Sequence, residues 1–132
     1  MKLTKTIFLA ALLAAGMACG YSAKKTTPPV AGTMPNIAAL VPSSTTAGTS
    51  LGTNGLMVTG ANFNNNATVN WNGSALVTTF VSSSQMTATV PDANTAAKGM
   101  ATITVTNPGT PGGIYGGGTS AETSNSMTFT IN

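Results

Sequence analysis

Few side chains in this 132-residue chain could do chemistry. Cys19 is its one cysteine, histidine and arginine are absent, and the acids are Asp92 and Glu122 against five lysines. Without histidine, imidazole acid–base catalysis and imidazole metal ligation are excluded. A carboxylate pair for glycoside hydrolysis must flank one sugar, and no motif joins Asp92 to Glu122. Calcium sites gather several acidic oxygens, for which this chain offers only backbone and asparagine carbonyls, a weak set. Serines are plentiful, yet their one available base is Lys98, better read as a solvated loop lysine. No catalytic residue, metal or cofactor is expected.

What remains reactive is the Cys19 thiol, and its setting addresses the molecule. Lys2 and Lys5 precede an apolar run from Ile7 to Ala18, the basic start, short apolar middle and small-residue end of a secretory signal. The run is about a dozen residues against the ~20 needed to cross a bilayer, so cleavage is expected rather than a permanent span. A cut before Cys19 resembles bacterial lipoprotein processing, in which the thiol receives a diacylglycerol; small Ala18 and Gly20 on either side fit it. The competing reading is an ordinary signal peptide cut after an Ala-x-Ala-like site. That would leave Cys19 as an unpaired, reactive thiol in an exported protein. The liability favours lipidation, and two acyl chains at about 0.8 kcal/mol per buried methylene anchor a protein stably. The expected product is an exported, lipid-anchored envelope protein, with a signal peptide over residues 1–18 and the membrane leaflet left open.

The formal charge of +3 and pI of 9.4 follow largely from that address. Lys2 and Lys5 leave with the signal, Lys24 and Lys25 sit beside the anchor, and Lys98 is the one base beyond. Nucleic-acid binding relies on lysine and arginine at phosphates, so it is set aside. Lys24 and Lys25 either rest on anionic headgroups, at about 1 kcal/mol each, or are solvated linker charges.

The elements behind this leader are legible from their punctuation. Residues 19–35 show no hydrophobic period, and Pro28, Pro29, Gly32 and Pro35 argue for a flexible, extended tether. From Asn36 to Asn132 one domain follows, large enough for a modest core without disulfides. Alternating apolar and hydroxyl residues, broken by turns, predict seven short strands. They are Ile37 to Val41, Leu56 to Gly60, Ala67 to Trp71, Leu76 to Val81, Met86 to Val90, Ala101 to Val105, and Met127 to Ile131. Asn72-Gly73 fits a type I′ hairpin. Leu76 to Val81 has apolar residues at both parities, so either Leu76 and Phe80 or Val77 and Val81 face inward. Asp92 to Lys98 could wind one turn before Gly99. Together these point to an all-β, immunoglobulin-like sandwich.

Particular residues carry a family resemblance. Asn36-Ile37 through Pro42-Ser43-Ser44, Leu56-x-Val58-Thr59-Gly60-Ala61-Asn62-Phe63 and Ala67-Thr68-Val69-Asn70-Trp71-Asn72-Gly73 resemble the bacterial IPT/TIG immunoglobulin-like domain of E-set type. So do Val81 to Pro91, Ala101 to Pro108, and Ser124 to Ile131. In this pattern Gly60 would permit a bulge, Phe63 would plug a sandwich end and Pro91 would end a strand. The resemblance implies a non-enzymatic module for surface contact or scaffolding through protein–protein interaction. It places Asp92 and Glu122 in loops after different strands.

The departure from that family is the long connection from Asn107 to Ser124, with Ile114 and Tyr115 between glycine runs. Exposed aromatics on loops are a contact device, and a glycan-binding module using the 107–124 loop is the alternative function. The favoured reading is that Ile114 and Tyr115 fold back over the sandwich end. Asn62, Asn64, Asn65 and Asn66 could hydrogen-bond sugars, but asparagine runs more often serve turns. Trp71 could stack on a sugar only if it faced outward, and its alternation with Val69 argues for the core. The expected partners are a membrane, through the lipid, and an envelope protein or glycan.

Overall fold

The computed structural model describes residues 28–132. The signal peptide read at 1–18, Cys19, Lys24 and Lys25 lie outside the described residues. All seven predicted strands form, and three two-residue strands supplement them. In chain order they are β1 (Asn36–Val41), β2 (Ser44–Thr45), β3 (Leu56–Ala61), β4 (Thr68–Trp71), β5 (Ser74–Ala75), β6 (Val77–Ser82), β7 (Gln85–Thr89), β8 (Gly99–Asn107), β9 (Glu122–Thr123) and β10 (Met127–Ile131). One sheet runs β1-β3-β7-β6 and the other β2-β10-β8-β4-β5, with β9 added to β8. Neighbours are antiparallel except β2 beside β10.

Alternation decides which side chains meet between the sheets. Leu56, Val58, Met86 and Ala88 come from the first sheet, and Val69, Trp71, Ile103, Val105 and Phe129 from the second; all are buried. The Trp71 and Phe129 rings lie 5.1 Å apart at 51°, within the range of favourable tilted aromatic pairs. Trp71 is therefore a core residue and not a sugar platform.

Local chemistry sets the turns. Asn72 and Gly73 take φ values of 49° and 84°, as a type I′ hairpin requires, and Trp71 pairs with Ser74 across them. The Asn72 side-chain oxygen also accepts from the Thr102 N–H at 2.8 Å, tying this turn to β8. Asp92–Asn94 forms a single 3-10 turn, and the buried Thr95 hydroxyl donates to the carbonyl of Thr49.

Two expectations change in detail. The β1–β3 register shifts between Ile37 and Ala39, so the bulge lies on β1 rather than at Gly60. Gly60 is needed for close approach, because a Cβ there would meet the Asn36 carbonyl and the Phe63 ring. The ambiguity of Leu76 to Val81 resolves towards Leu76 and Phe80: Leu76 is buried and Phe80 pairs with buried Met86 on the inner face, itself 37% exposed, whereas Val77 and Val81 are 75% and 53% exposed. Strand β6 ends its sheet, so even the inward Phe80 is left partly open at the margin.

Asn125 joins the two sheets, and Ser124 beside it continues the β8–β9 pairing within one of them. The Asn125 amide accepts from the Ile37 N–H at 2.8 Å and donates to the Ile37 carbonyl at 2.9 Å. One side chain thus substitutes for a neighbouring strand along the open edge of β1. The Ser124 hydroxyl accepts from the Val105 N–H, and the Ser124 N–H donates to the Val105 carbonyl, each at 2.8 Å.

Candidate functional site

The two groups of candidate residues lie at one end of the sandwich, and buried Asn107 organises that end. Its amide nitrogen donates to the carbonyls of Thr33 and Asn62, both at 2.8 Å, and its oxygen accepts from the Asn64 N–H at 3.0 Å. Three separate segments, residues 33, 62–64 and the end of β8, are held by one side chain. In the sequence Asn107 marks only the start of the long connection. An Asn-Pro pair signals a turn in the local sequence, while the partners that give Asn107 its role are 43, 45 and 74 residues away.

Asn62 and Asn64 serve this scaffold. Asn62 has a φ of 61°, the left-handed conformation that asparagine tolerates, and its side-chain amide donates to the Met34 carbonyl at 3.3 Å. The Asn64 carbonyl accepts from Ala67 at 2.9 Å, closing the turn. The turn role of this run is thus visible in the Asn62 conformation and the Asn64 backbone, and Asn64, Asn65 and Asn66 are all exposed.

The segment expected as a tether is held by the domain from Val30 onward. The Val30 N–H donates to the Gly118 carbonyl and the Val30 carbonyl accepts from the Ser120 N–H, both at 3.0 Å, which pairs Val30 in parallel with Thr119. The Gly32 N–H donates to the Glu122 carboxylate at 3.3 Å, and the Ser120 hydroxyl reaches the same oxygen at 2.8 Å. Pro35 is fully buried. Apart from buried Pro35, hydrogen bonds to its backbone rather than apolar packing secure this stretch, which is why it has no hydrophobic period.

The long connection is a hairpin and not a free loop. Thr110 pairs with Thr119 and Gly113 with Gly116, and Gly113 and Gly116 exchange N–H to carbonyl bonds of 3.1 and 3.0 Å. Ile114 and Tyr115 form its two-residue tip, 87% and 88% exposed. The expectation that they fold back over the sandwich end is therefore corrected. The reciprocal Gly113–Gly116 bonds hold the tip out from the core, and Phe63 and Pro35 fill that end instead.

Elsewhere the surface is poor in charge. By register, the outer face of the β1-β3-β7-β6 sheet carries Val41, Met57, Thr87 and Thr79 in one row and Ala39, Thr59, Gln85 and Ser82 in the next. On the other sheet, the Asn70 amide donates to the hydroxyls of Thr104 and Thr106 at 3.4 and 2.9 Å. Neither face carries a charged side chain. Asp92 follows β7 and Glu122 lies in β9 at the Asn107 end, so the two acids share no site. Among the described residues no three metal-ligating side chains come together, and no helix is long and apolar enough to cross a membrane.

These features define an immunoglobulin-like module whose distinctive parts are loops and edges. The chain belongs to the IPT/TIG domain family, whose model matches residues 35–131. Domains of this family are non-enzymatic and commonly mediate protein–protein interaction or scaffolding. No curated protein and no solved structure matches the chain.

Proposed function

We propose that this protein is a non-enzymatic contact module of the bacterial cell envelope, held at a membrane through acylated Cys19 and acting by protein–protein interaction. The observation that carries the contact role is the edge strand β6. It ends its sheet, and Val77, Phe80 and Val81 along it are 75%, 37% and 53% exposed. Natural edges are usually blunted by charge, proline or a bulge. The sequence of β6, Val-Thr-Thr-Phe-Val-Ser, has neither charge nor proline, and the register shift between Phe80 and Ser82 is its one such device. The start of β6 is occupied, since the Leu76 N–H donates to the Val69 carbonyl and the Thr78 hydroxyl accepts from the Val69 N–H. The stretch from Thr79 to Ser82 is the part that a partner strand could extend.

Placing lysines at Val77 and Val81 tests this. Both sites are exposed, so the double variant should melt within about 0.5 kcal/mol of the wild type. Protein partners that the wild type recovers from native envelope should be lost. Recovery of the same partners by the variant would refute the β6 contact. The alternative, carbohydrate binding through the 107–124 loop, draws on the exposure of Tyr115. A glycan-array signal abolished by Tyr115→Ala would favour it.

The anchor has its own test. Cys19→Ser should move the protein from the membrane fraction to the soluble fraction without altering its melting temperature, because every buried side chain among the described residues lies at Pro35 or beyond. Mass spectrometry of the mature N-terminus should show a diacylglycerol-modified cysteine. An unmodified thiol on a mature chain would rule the anchor out.

A further inference from the structure

We propose that the Ile114–Tyr115 hairpin tip is a membrane-resting foot that dips into the interface of the bilayer holding the N-terminus, an inference that rests on the lipid-anchored reading above.

The direction of the chain carries the argument. The Val30–Thr119 bridge is parallel, so moving upstream from Val30 follows the same course as moving upstream from Thr119. That course runs past Gly118 and Gly117 to the tip at Tyr115 and Ile114. At residues 28–30 the chain therefore enters the domain from the side on which the hairpin projects. Ten residues separate Cys19 from Val30, and even fully extended the stretch reaches at most about 40 Å. An acyl chain on Cys19 thus keeps Val30, beside the hairpin stem, within that distance of the bilayer, with the tip on the side where the chain enters.

The chemistry of the tip suits an interface. Isoleucine supplies an apolar wedge, and tyrosine is enriched where an apolar ring and a polar hydroxyl meet headgroups. Val30, 67% exposed, adds apolar surface beside the hairpin stem. The reciprocal Gly113–Gly116 bonds fix the turn, so little ordering entropy is spent on contact. Lys24 and Lys25, between the anchor and Val30, suit an anionic leaflet. Glu122 is the acid at this end, and its carboxylate is drawn back by the Gly32 N–H and the Ser120 hydroxyl.

With Cys19 acylated, Ile114→Cys supplies the one free thiol and can carry an environment-sensitive fluorophore. The same label on Thr53→Cys, at an exposed site, reports on the opposite end of the sandwich. Both acylated proteins would be reconstituted into vesicles of phosphatidylethanolamine and phosphatidylglycerol and separated by flotation. The probe at 114 should shift to the blue and be quenched several-fold more by spin-labelled lipid than the probe at 53. Equal quenching in floating vesicles would overturn the foot while leaving the anchor intact. Shielding at 114 without lipid quenching would show a protein or glycan contact instead, and would also overturn it. A protein that fails to float would remove the anchor and this placement with it.

Discussion

Trp71→Ala is expected to destabilise the domain by about 3–5 kcal/mol, the usual range for deleting a buried large aromatic. Trp71 sits on β4 between Asn70 and the Asn72-Gly73 turn, and its ring meets Phe129 of β10 at 5.1 Å. Alanine would lose the burial of the indole, the aromatic pairing and the filling of the space between sheets. Domains of this size have roughly 5–15 kcal/mol of total stability, so the loss is a large fraction of it. At about 4–8 °C per kcal/mol for a domain of this length, the melting temperature should fall by more than ~12 °C. Calorimetry or thermal circular dichroism measures it. A variant that melts like the wild type would mean that Trp71 does not hold the sheets together.

The core was legible because burial on one face imposes a period. Val69 and Trp71, Ile103 and Val105, and Phe129 and Ile131 alternate with threonine or asparagine, and each pair lies between the sheets. Asn72-Gly73 was legible because its backbone geometry selects for residue type. The parity of Leu76 to Val81 was not, because this edge strand carries apolar residues on both faces, exposed Val77 and Val81 as well as Leu76 and Phe80. The hairpin at Gly113–Gly116 was also hidden: its bonds are between backbone groups of glycines, and a glycine-rich sequence reads as freedom. Hidden too was the attachment of Val30 to Pro35, since most of the residues that hold this segment, Asn107, Gly118, Ser120 and Glu122, follow it by more than seventy positions, and Asn62, which holds Met34, follows by 28. Long-range polar clamps leave no local pattern, and the candidate end of this molecule is built from them.

Asn107→Ala should therefore be the most damaging polar substitution, and it should act at the candidate end first. The change removes the shared partner of the Thr33 carbonyl, the Asn62 carbonyl and the Asn64 N–H. A buried polar group left without a partner costs about 1–3 kcal/mol. Residues 33, 62 and 64 are themselves exposed, so water can reach part of what is lost. A total near 2–4 kcal/mol is expected on the same basis. Amide exchange should rise at Val30 and Gly32, whose bonds to the 118–122 stretch depend on the same end staying closed. Leu56 and Ile103, deep between the sheets, should keep their protection relative to the new global stability.

Asn107→Asp provides the sharper control. Aspartate keeps the acceptor for the Asn64 N–H but turns a carboxylate oxygen towards two carbonyls that had received N–H bonds. Ionisation is then disfavoured in the folded state, while a protonated carboxyl can still donate one bond. With the folded pKa above the unfolded value near ~3.9, the unfolded state binds fewer protons and stability falls as pH rises. The variant should thus be closest to wild type below about pH 4 and lose stability progressively above it. Melting curves of both proteins across this range decide the matter. A wild-type-like profile for Asn107→Asp would show that the clamp does not need its two donors, and that the attachment of residues 30–35 rests on the backbone pairing with 118–120 alone.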